Sequence, residues 1–296
     1  MTHDQDAQRT GLIAGVTAYL LWGLFPLFWP LLKPAAPLEI LAHRIVWSFV
    51  VVAIALVALR ASWRWVPGVF SRANLPRMAA AAGLIAINWL TYIFAVNSGH
   101  VVEGSLGYFI NPLANVVFGM LIFGERLGRG GRIGGLLALG GVIIIAWTSW
   151  QTIWISLLLA VSFGLYGVAK KKAHLPALQG LLVESGFLVI PSAAFLIVLA
   201  AQGTGQFATT APASALLLVT GPITALPLWL FAIAAPRLPF GVTGVLQYVA
   251  PTIQFLLGVL VLGEHVTPSY WAGLTLVWIG SAVYLTTTLR RAPASN

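Results

Sequence analysis

The sequence reads Pro112…Gly119-x-Leu121-x-x-Gly124-Glu125…Gly134-x-x-Leu137…Gly141, and 139 residues further on it reads Pro251…Gly258-x-Leu260-x-x-Gly263-Glu264…Gly273-x-x-Leu276…Gly280. An internal repeat is the first feature to establish, because it decides how the whole chain is organised. Both copies lie among apolar segments of membrane-spanning length. If each half crosses the membrane an odd number of times, the second half is inverted, which is how many secondary transporters are built.

The composition indicates an integral membrane protein. The 296 residues are 59% hydrophobic and only 8% charged, whereas a soluble domain is about a quarter charged. The apolar runs are continuous, which favours helices over the alternating strands of a β-barrel. The net charge of +9 does not indicate nucleic-acid binding, because the basic residues occupy short connectors. The sequence has no cysteine, and we expect no cofactor and no metal site.

Ten segments are long and apolar enough to span a membrane, for which about 20 residues are needed. They are 11–32, 37–59, 78–97, 104–123, 132–150, 152–170, 178–200, 214–235, 241–262 and 270–289. We therefore predict an all-α polytopic membrane protein with ten transmembrane helices arranged as two inverted five-helix repeats. The first repeat covers 11–150 and the second 152–289, with cytoplasmic tails at 1–10 and 290–296.

The basic residues predict the orientation of the chain. With a cytoplasmic N-terminus, 14 of the 16 Lys and Arg residues fall in cytoplasmic segments, while Lys33 lies in an external connector and Arg44 within a span. Positive charge accumulates on the cytoplasmic side of membrane proteins. We therefore expect both termini in the cytoplasm.

The second segment contains three ionisable residues, in the pattern Glu39-x-x-x-His43-Arg44. Glu39 and His43 are four residues apart, so they share a helix face and can pair. One interpretation is an ion pair at the membrane interface, with Arg44 extending outward. The other is an outer gate, or a site for protons or substrate, because ionisable groups within membrane helices are functional candidates.

Three further ionisable residues complete this gating or ion-coupling set: His100, Glu103 and Glu184. Glu184 lies inside the seventh segment with no cation beside it in the sequence, so it needs either a partner or a proton. A carboxylate that takes up and releases a proton would couple transport to a proton gradient.

Polar residues also lie at membrane depth on the third, fourth and ninth segments. These substrate-pocket candidates are Asn88, Tyr92, Tyr108, Asn111, Asn115, Gln247, Tyr248 and Gln254. Pro112 and Pro251 accompany them in equivalent positions of the two repeats, and proline removes a backbone hydrogen bond. The set predicts two locally loosened helices facing a shared cavity. The alternative is that the amides form hydrogen bonds between helices.

The two Gly-Glu pairs are interpreted as structural turns. Gly124 and Gly263 suit the end of a helix, and Glu125 and Glu264 suit the start of the next helix, where a carboxylate complements the helix dipole.

Several motifs together resemble a known family. They are Glu39-x-x-x-His43-Arg44-x-x-Trp47-Ser48, Asn88-Trp89…Ala95-Val96-Asn97-Ser98-Gly99-His100-x-x-Glu103, Ser105-Leu106-Gly107-Tyr108-Phe109-Ile110-Asn111-Pro112 and Gln247-Tyr248-x-Ala250-Pro251-Thr252-x-Gln254-Phe255. With the repeated Pro…Gly-Glu…Gly signature, the chain resembles RarD-type members of the EamA family in the drug/metabolite transporter superfamily. The resemblance covers roughly residues 10–290. It implies a metabolite or drug exporter of the bacterial inner membrane, and it supplies no site residues.

We therefore expect a carrier that works by alternating access, with its pocket between segments 1–4 and 6–9. Its partners would be a small polar or zwitterionic solute, the lipid bilayer and protons, with no nucleic acid; a homodimer is left open. A non-transporting membrane sensor or scaffold is the alternative. An intramembrane enzyme is disfavoured, because the chain has neither a His-Glu-x-x-His motif nor cysteine.

Overall fold

The computed structural model describes residues 2–124, 128–171 and 175–289, and the described part is helical throughout, without strands. The helices are α1 (Thr2–Gly23), α2 (Phe25–Phe28), a 3-10 helix (Trp29–Leu32), α3 (Pro37–Ala58), α4 (Val66–Val69), α5 (Leu75–Asn97), α6 (Val101–Phe123), α7 (Arg129–Thr148), α8 (Ile153–Lys171), α9 (Ala177–Gln202), α10 (Ala211–Ala234), α11 (Phe240–Leu246), α12 (Val249–Leu260) and α13 (Pro268–Leu289).

Within the described residues, eight helical segments are long and apolar enough to cross a membrane, or nine if one bent pair counts as a single span. The remaining long helix is α13, which corresponds to the tenth predicted segment and has 22 residues. The helix α13 is not among these eight or nine spans. The multi-pass helical architecture is therefore confirmed, whereas the number of ten spans and the inversion of the second repeat stay predictions.

Two of the helical breaks coincide with prolines. The first span bends by 41° between Asp6–Gly23 and Phe25–Leu32, next to Pro26. The ninth predicted segment divides into α11 and α12 at Gln247 and Tyr248. Gln247 is four residues before Pro251, and a proline ring clashes with the carbonyl at that position. The equivalent helix α6 stays continuous across Pro112, so the predicted loosening occurs in only one of the two helices.

The two halves of the chain pack against each other through the centre of the bundle. From the first half, α3 packs on α9 and α10, and α6 packs on α8 and α12. The first helix, α1, likewise contacts α10 and α12. A buried interface between the halves is where the sequence places the pocket.

Helices α7 and α13 approach each other backbone to backbone. A Cβ atom at Gly134 would lie 2.5 Å from the carbonyl oxygen of Gly280, and a Cβ at Gly280 would lie 2.5 Å from the carbonyl oxygen of Gly134. Gly141 and Gly273 oppose each other in the same reciprocal way. The helices are therefore antiparallel, and glycines of the repeated motif meet across the contact. Small residues let membrane helices pack this closely.

This contact predicts that Gly141→Leu destabilises the fold, because its side chain would collide with the backbone of Gly273. Overpacking of this kind costs about 1–3 kcal/mol. The thermal unfolding midpoint of the purified protein in detergent measures the loss. The matched control is Gly140→Leu, since a Cβ at Gly140 meets nothing within 4 Å. Equal midpoints for the two variants would contradict the contact.

Candidate functional site

Arg44 is buried at the centre of an aromatic cluster. Its side chain is 4% exposed, and its Cζ lies 4.0 Å from the ring centroid of Trp89 and 5.0 Å from that of Trp29. Phe25 contributes a third ring at 5.8 Å. The Nε atom of Arg44 donates to the Thr224 hydroxyl of α10 at 2.9 Å. The interpretation of an arginine extending outward is therefore wrong, since the side chain turns into the protein.

The rings stabilise this charge only in part. Placing an arginine at the centre of a membrane helix costs about 2.5–3.5 kcal/mol, and a desolvated cation–π contact returns about 2 kcal/mol. A guanidinium has five N–H donors. Within the described residues, its only hydrogen bond is the one from Nε, and no carboxylate lies within ion-pair distance.

Three of the pocket candidates lie together beside this cluster. The Tyr108 hydroxyl donates to Oδ1 of Asn88 at 3.2 Å, and the rings of Tyr92 and Tyr108 are 5.4 Å apart. Asn88 also donates to the carbonyl of Leu159 at 3.0 Å and to the Ser162 hydroxyl at 3.1 Å. Asn88 thus joins α5 to α8 while it positions Tyr108.

The three pocket candidates from the ninth segment have different surroundings. Gln254 is buried and donates to the carbonyl of Trp22 at 3.0 Å, at the end of α1. Tyr248 stacks on Phe109 at a centroid distance of 6.2 Å, in a cluster that includes α13. Gln247 is half-buried at the α11–α12 break. Of the three, Gln254 has a described hydrogen bond to the first helix.

The two asparagines after Tyr108 have different surroundings. Asn111 is buried, and its Oδ1 has no hydrogen-bond partner. Asn115, which the sequence analysis expects to be well inside the bilayer, is exposed and lies beside Gly167 of α8. Asn111 and Asn115 are four residues apart on the continuous helix α6, so a single helical turn separates a buried position from an exposed one.

Glu184 has the partners that the sequence did not show. The carboxylate is 2% exposed, lies 3.1 Å from Nζ of Lys170, and accepts from the Tyr166 hydroxyl at 3.1 Å. Lys170 and Tyr166 both lie on α8, whereas Glu184 lies on α9. A buried carboxylate needs such compensation to remain charged.

Glu39 and His43 do not pair, although they share a helix face. The Glu39 carboxylate accepts from the backbone N–H of Gln206, in the α9–α10 connector. His43 accepts through Nδ1 from the Trp47 indole at 3.2 Å, and its ring lies 5.1 Å from that of Phe207. Both side chains are 3% exposed. The predicted pairing is wrong, because each side chain has a different partner.

Glu264 binds a helix other than the one expected. Its two oxygens accept from the backbone N–H groups of Val101 and Val102, each at 2.7 Å. It therefore caps α6 and not the following helix α13. Burial raises the pKa of the Glu264 carboxyl, while the two amide hydrogen bonds oppose that shift. Its counterpart Glu125 lies outside the described residues.

The glycines of the two Gly-Glu pairs adopt the left-handed backbone conformation. The φ angle is 67° at Gly124 and 71° at Gly263. A left-handed residue commonly ends a helix, and glycine adopts it without steric cost. Gly124 is the C-cap of α6.

His100 and Glu103 lie at the same end of the bundle as Glu264. Nδ1 of His100 is 3.7 Å from the Glu103 carboxylate, which also accepts from the Thr152 hydroxyl at 2.9 Å. A cavity of about 260 Å³ separates them from the α12–α13 connector and is lined by His265 and Tyr270.

Sequence reasoning missed the groups that surround the ionisable residues. Trp89 occurs in a quoted motif, but nothing in its spacing relates it to Arg44. Thr224 and Arg44 are 180 residues apart. The sequence places Lys170 among the basic residues at the cytoplasmic ends of the segments and does not relate it to Glu184.

A long apolar helical bundle with buried polar groups shared between its halves is the architecture of a multi-pass membrane transporter. The sequence profile of the EamA-like transporter family matches residues 9–147 and again 150–286. The chain belongs to this family and is RarD-like within it, as a protein of the bacterial inner membrane.

Individual comparisons agree with that assignment. Protein RarD of Streptomyces exfoliatus is 46% identical over 294 residues, covering 99% of this chain and 93% of the relative. The Uncharacterized transporter YojE of Bacillus subtilis is 39% identical, covering 97% of each chain. A crystal structure at 21% identity superposes with a TM-score of 0.62, covering 95% of this chain and 99% of that one. At this identity the last likeness concerns the fold alone.

The Glu264 cap predicts that Glu264→Gln exposes the start of α6. An amide nitrogen cannot accept a hydrogen bond, so one of the two backbone N–H groups loses its partner, at a cost of about 1–3 kcal/mol. Hydrogen exchange at the Val101 and Val102 amides should become faster. His265→Gln, at the exposed neighbouring position, is the control. Unchanged exchange in the Glu264 variant would refute the capping role.

Proposed function

We propose that the protein is a secondary transporter that exports a small polar metabolite, an amino-acid-like compound or a drug by alternating access. The observation that carries this proposal is the buried meeting of polar groups from both halves. Arg44 of α3 bonds to Thr224 of α10, and Gln254 of α12 bonds to the end of α1. Solute sites of inverted-repeat transporters lie between the halves near the membrane midplane.

The closeness of the α7–α13 glycines supports the inverted arrangement. Each glycine of the first copy opposes the other motif glycine of the second copy, which is the contact pattern that a two-fold axis in the membrane plane would produce. The distribution of basic residues supports an orientation in which both termini lie in the cytoplasm.

Two carboxylates support an outer gate. Glu39 of the first half binds the backbone of Gln206 in the second half, and Glu264 of the second half binds the backbone of Val101 and Val102 in the first. Both contacts lie at the end that the charge count predicts to be external. They hold the two halves together there, so this conformation would be closed to the outside. Three further members of the gating or ion-coupling set, His43, His100 and Glu103, lie beside these contacts.

The pair of Lys170 and Glu184 supports proton coupling. Nζ of Lys170 lies 3.1 Å from the buried Glu184 carboxylate. Separating the two charges as helices α8 and α9 move would leave a buried carboxylate uncompensated. An uncompensated buried carboxylate takes up a proton. Proton binding would thereby be linked to the conformational step.

The solute can be found by comparing intracellular and extracellular metabolites in cells with and without the protein. Export predicts that one polar metabolite accumulates inside the deletion strain and returns to normal on complementation. The purified protein in liposomes should then exchange that metabolite by counterflow. If the deletion strain keeps the same metabolite gradients as the wild type, and no tested solute shows counterflow, the sensor or scaffold function is favoured.

Proton coupling predicts a specific defect in Glu184→Gln. Flux driven by an imposed pH gradient should lose its dependence on pH, because the neutral amide cannot take up the proton. Solute counterflow, which needs no net proton movement, should remain within about twofold. Asp6→Asn, at an exposed position near the start of α1, serves as the control carboxylate. Full pH-dependent transport by Glu184→Gln would exclude this residue as the coupling site.

A further inference from the structure

The charge on Arg44 has no counter-ion in the described part of the chain. Both ion pairs that the structure describes lie elsewhere, between His100 and Glu103 and between Lys170 and Glu184. Arg44 is the eighth residue of α3, which places it about 10 Å along the helix from its first residue. It is therefore a single buried cation at membrane depth.

The contacts of Arg44 fix its position and leave its terminal nitrogens without partners. The guanidinium stacks on Trp89 at 4.0 Å, and Nε is held by the Thr224 hydroxyl, which itself donates to the carbonyl of Thr220 at 2.8 Å. Among the described residues, neither terminal guanidinium nitrogen donates a hydrogen bond. The planar fork is thus held in place while most of its donors remain available.

Neighbouring polar groups add a further donor. Tyr92 belongs to the same buried cluster as the Phe25 and Trp29 rings that surround Arg44, and Tyr108 packs against that cluster. The Tyr108 hydroxyl is used, since it donates to Asn88. The Tyr92 residue is only 2% exposed, and its buried hydroxyl has no hydrogen-bond partner. A buried unpartnered hydroxyl is costly unless something binds it.

These groups are complementary to a carboxylate. Arginine binds a planar carboxylate through two parallel N–H donors, and one cation balances one negative charge. A phosphate dianion would require a second cation, and the adjacent residue in the sequence, His43, instead contacts Trp47 and Phe207. The aromatic rings of Trp29, Trp89 and Phe25 would face the apolar part of such a solute.

We propose that Arg44 is the anchor for the carboxylate of the transported solute, with Tyr92 as a second donor. The proposal rests on the proposed transport function and narrows its substrate class to small organic monocarboxylates, zwitterionic amino acids included. The site lies between α3, α5 and α10, where both halves contribute. Arg44 is thereby assigned to solute binding and not to the gate.

The test uses matched acids and amides. The probes are the 20 common L-amino acids, acetate, lactate and benzoate, each paired with its carboxamide, which has the same shape without the negative charge. Binding to the purified protein is measured by thermal shift, and flux by counterflow in liposomes. We expect at least one acid to bind at least tenfold more tightly than its amide.

Three variants locate the effect. Arg44→Gln should abolish the preference for the acid, and Thr224→Val, which removes the hydrogen bond to Nε, should weaken acid binding severalfold. Arg77→Gln, at an exposed position on α5, should leave binding unchanged. If Arg44→Gln does not fold, the acid and amide comparison in the wild type and in Thr224→Val still decides the proposal.

The possible outcomes separate the two proposals. Equal binding of acid and amide overturns the carboxylate anchor, and counterflow of either compound would still support transport. Binding of no acid at all also overturns the anchor. Acid binding that requires Arg44, without any flux, supports the anchor and contradicts the transport function.

Discussion

The contact on which the rest of the structure depends is the one between the glycine backbones of α7 and α13. Lipid is as apolar as a leucine side chain, so the hydrophobic effect does not hold membrane helices together, and close packing must do so. Gly134 and Gly141 meet Gly280 and Gly273 without side chains between them. These glycines belong to the motif that occurs once in each repeat. The motif that defines the internal repeat therefore also forms the contact between the two repeats.

Several polar groups in the bundle are satisfied by partners in the opposite half. Glu39 and Glu264 each accept hydrogen bonds from backbone N–H groups of the opposite half. Backbone donors at a helix start stabilise a carboxylate through their partial positive charge. Among the described residues, neither carboxylate lies within ion-pair distance of a lysine or arginine. The backbone donors therefore compensate the charge on each.

The sequence predicted the framework of the molecule but not the partners of its polar residues. Continuous apolar runs and basic connectors are local properties, so the family, the helical architecture and most helix bounds could be read directly. Partner choice depends on how helices rotate against each other. Glu39 and His43 share a helix face, yet one binds the α9–α10 connector and the other binds Trp47.

Glu184 is a second residue whose partner could not be predicted from the sequence. Its cation, Lys170, lies only 14 residues away, but on the preceding helix beyond a connector. Asn115 follows the pocket candidates at the correct helical spacing and is nevertheless exposed. Spacing along a helix identifies which side chains can meet, whereas packing between helices determines which of them do meet.

The difference between the two buried charges has a consequence for the transport cycle. In this structure Glu184 is compensated by Lys170, whereas Arg44 has only aromatic rings and one hydroxyl among the described residues. A carrier must also return without its solute, and a bare arginine in lipid would oppose that step. The rings of Trp29 and Trp89 lower this cost by cation–π attraction without supplying a negative charge that would compete with the solute. An aromatic cage is therefore suited to a cation that must be tolerated when the site is empty and still attract an anion when it is filled.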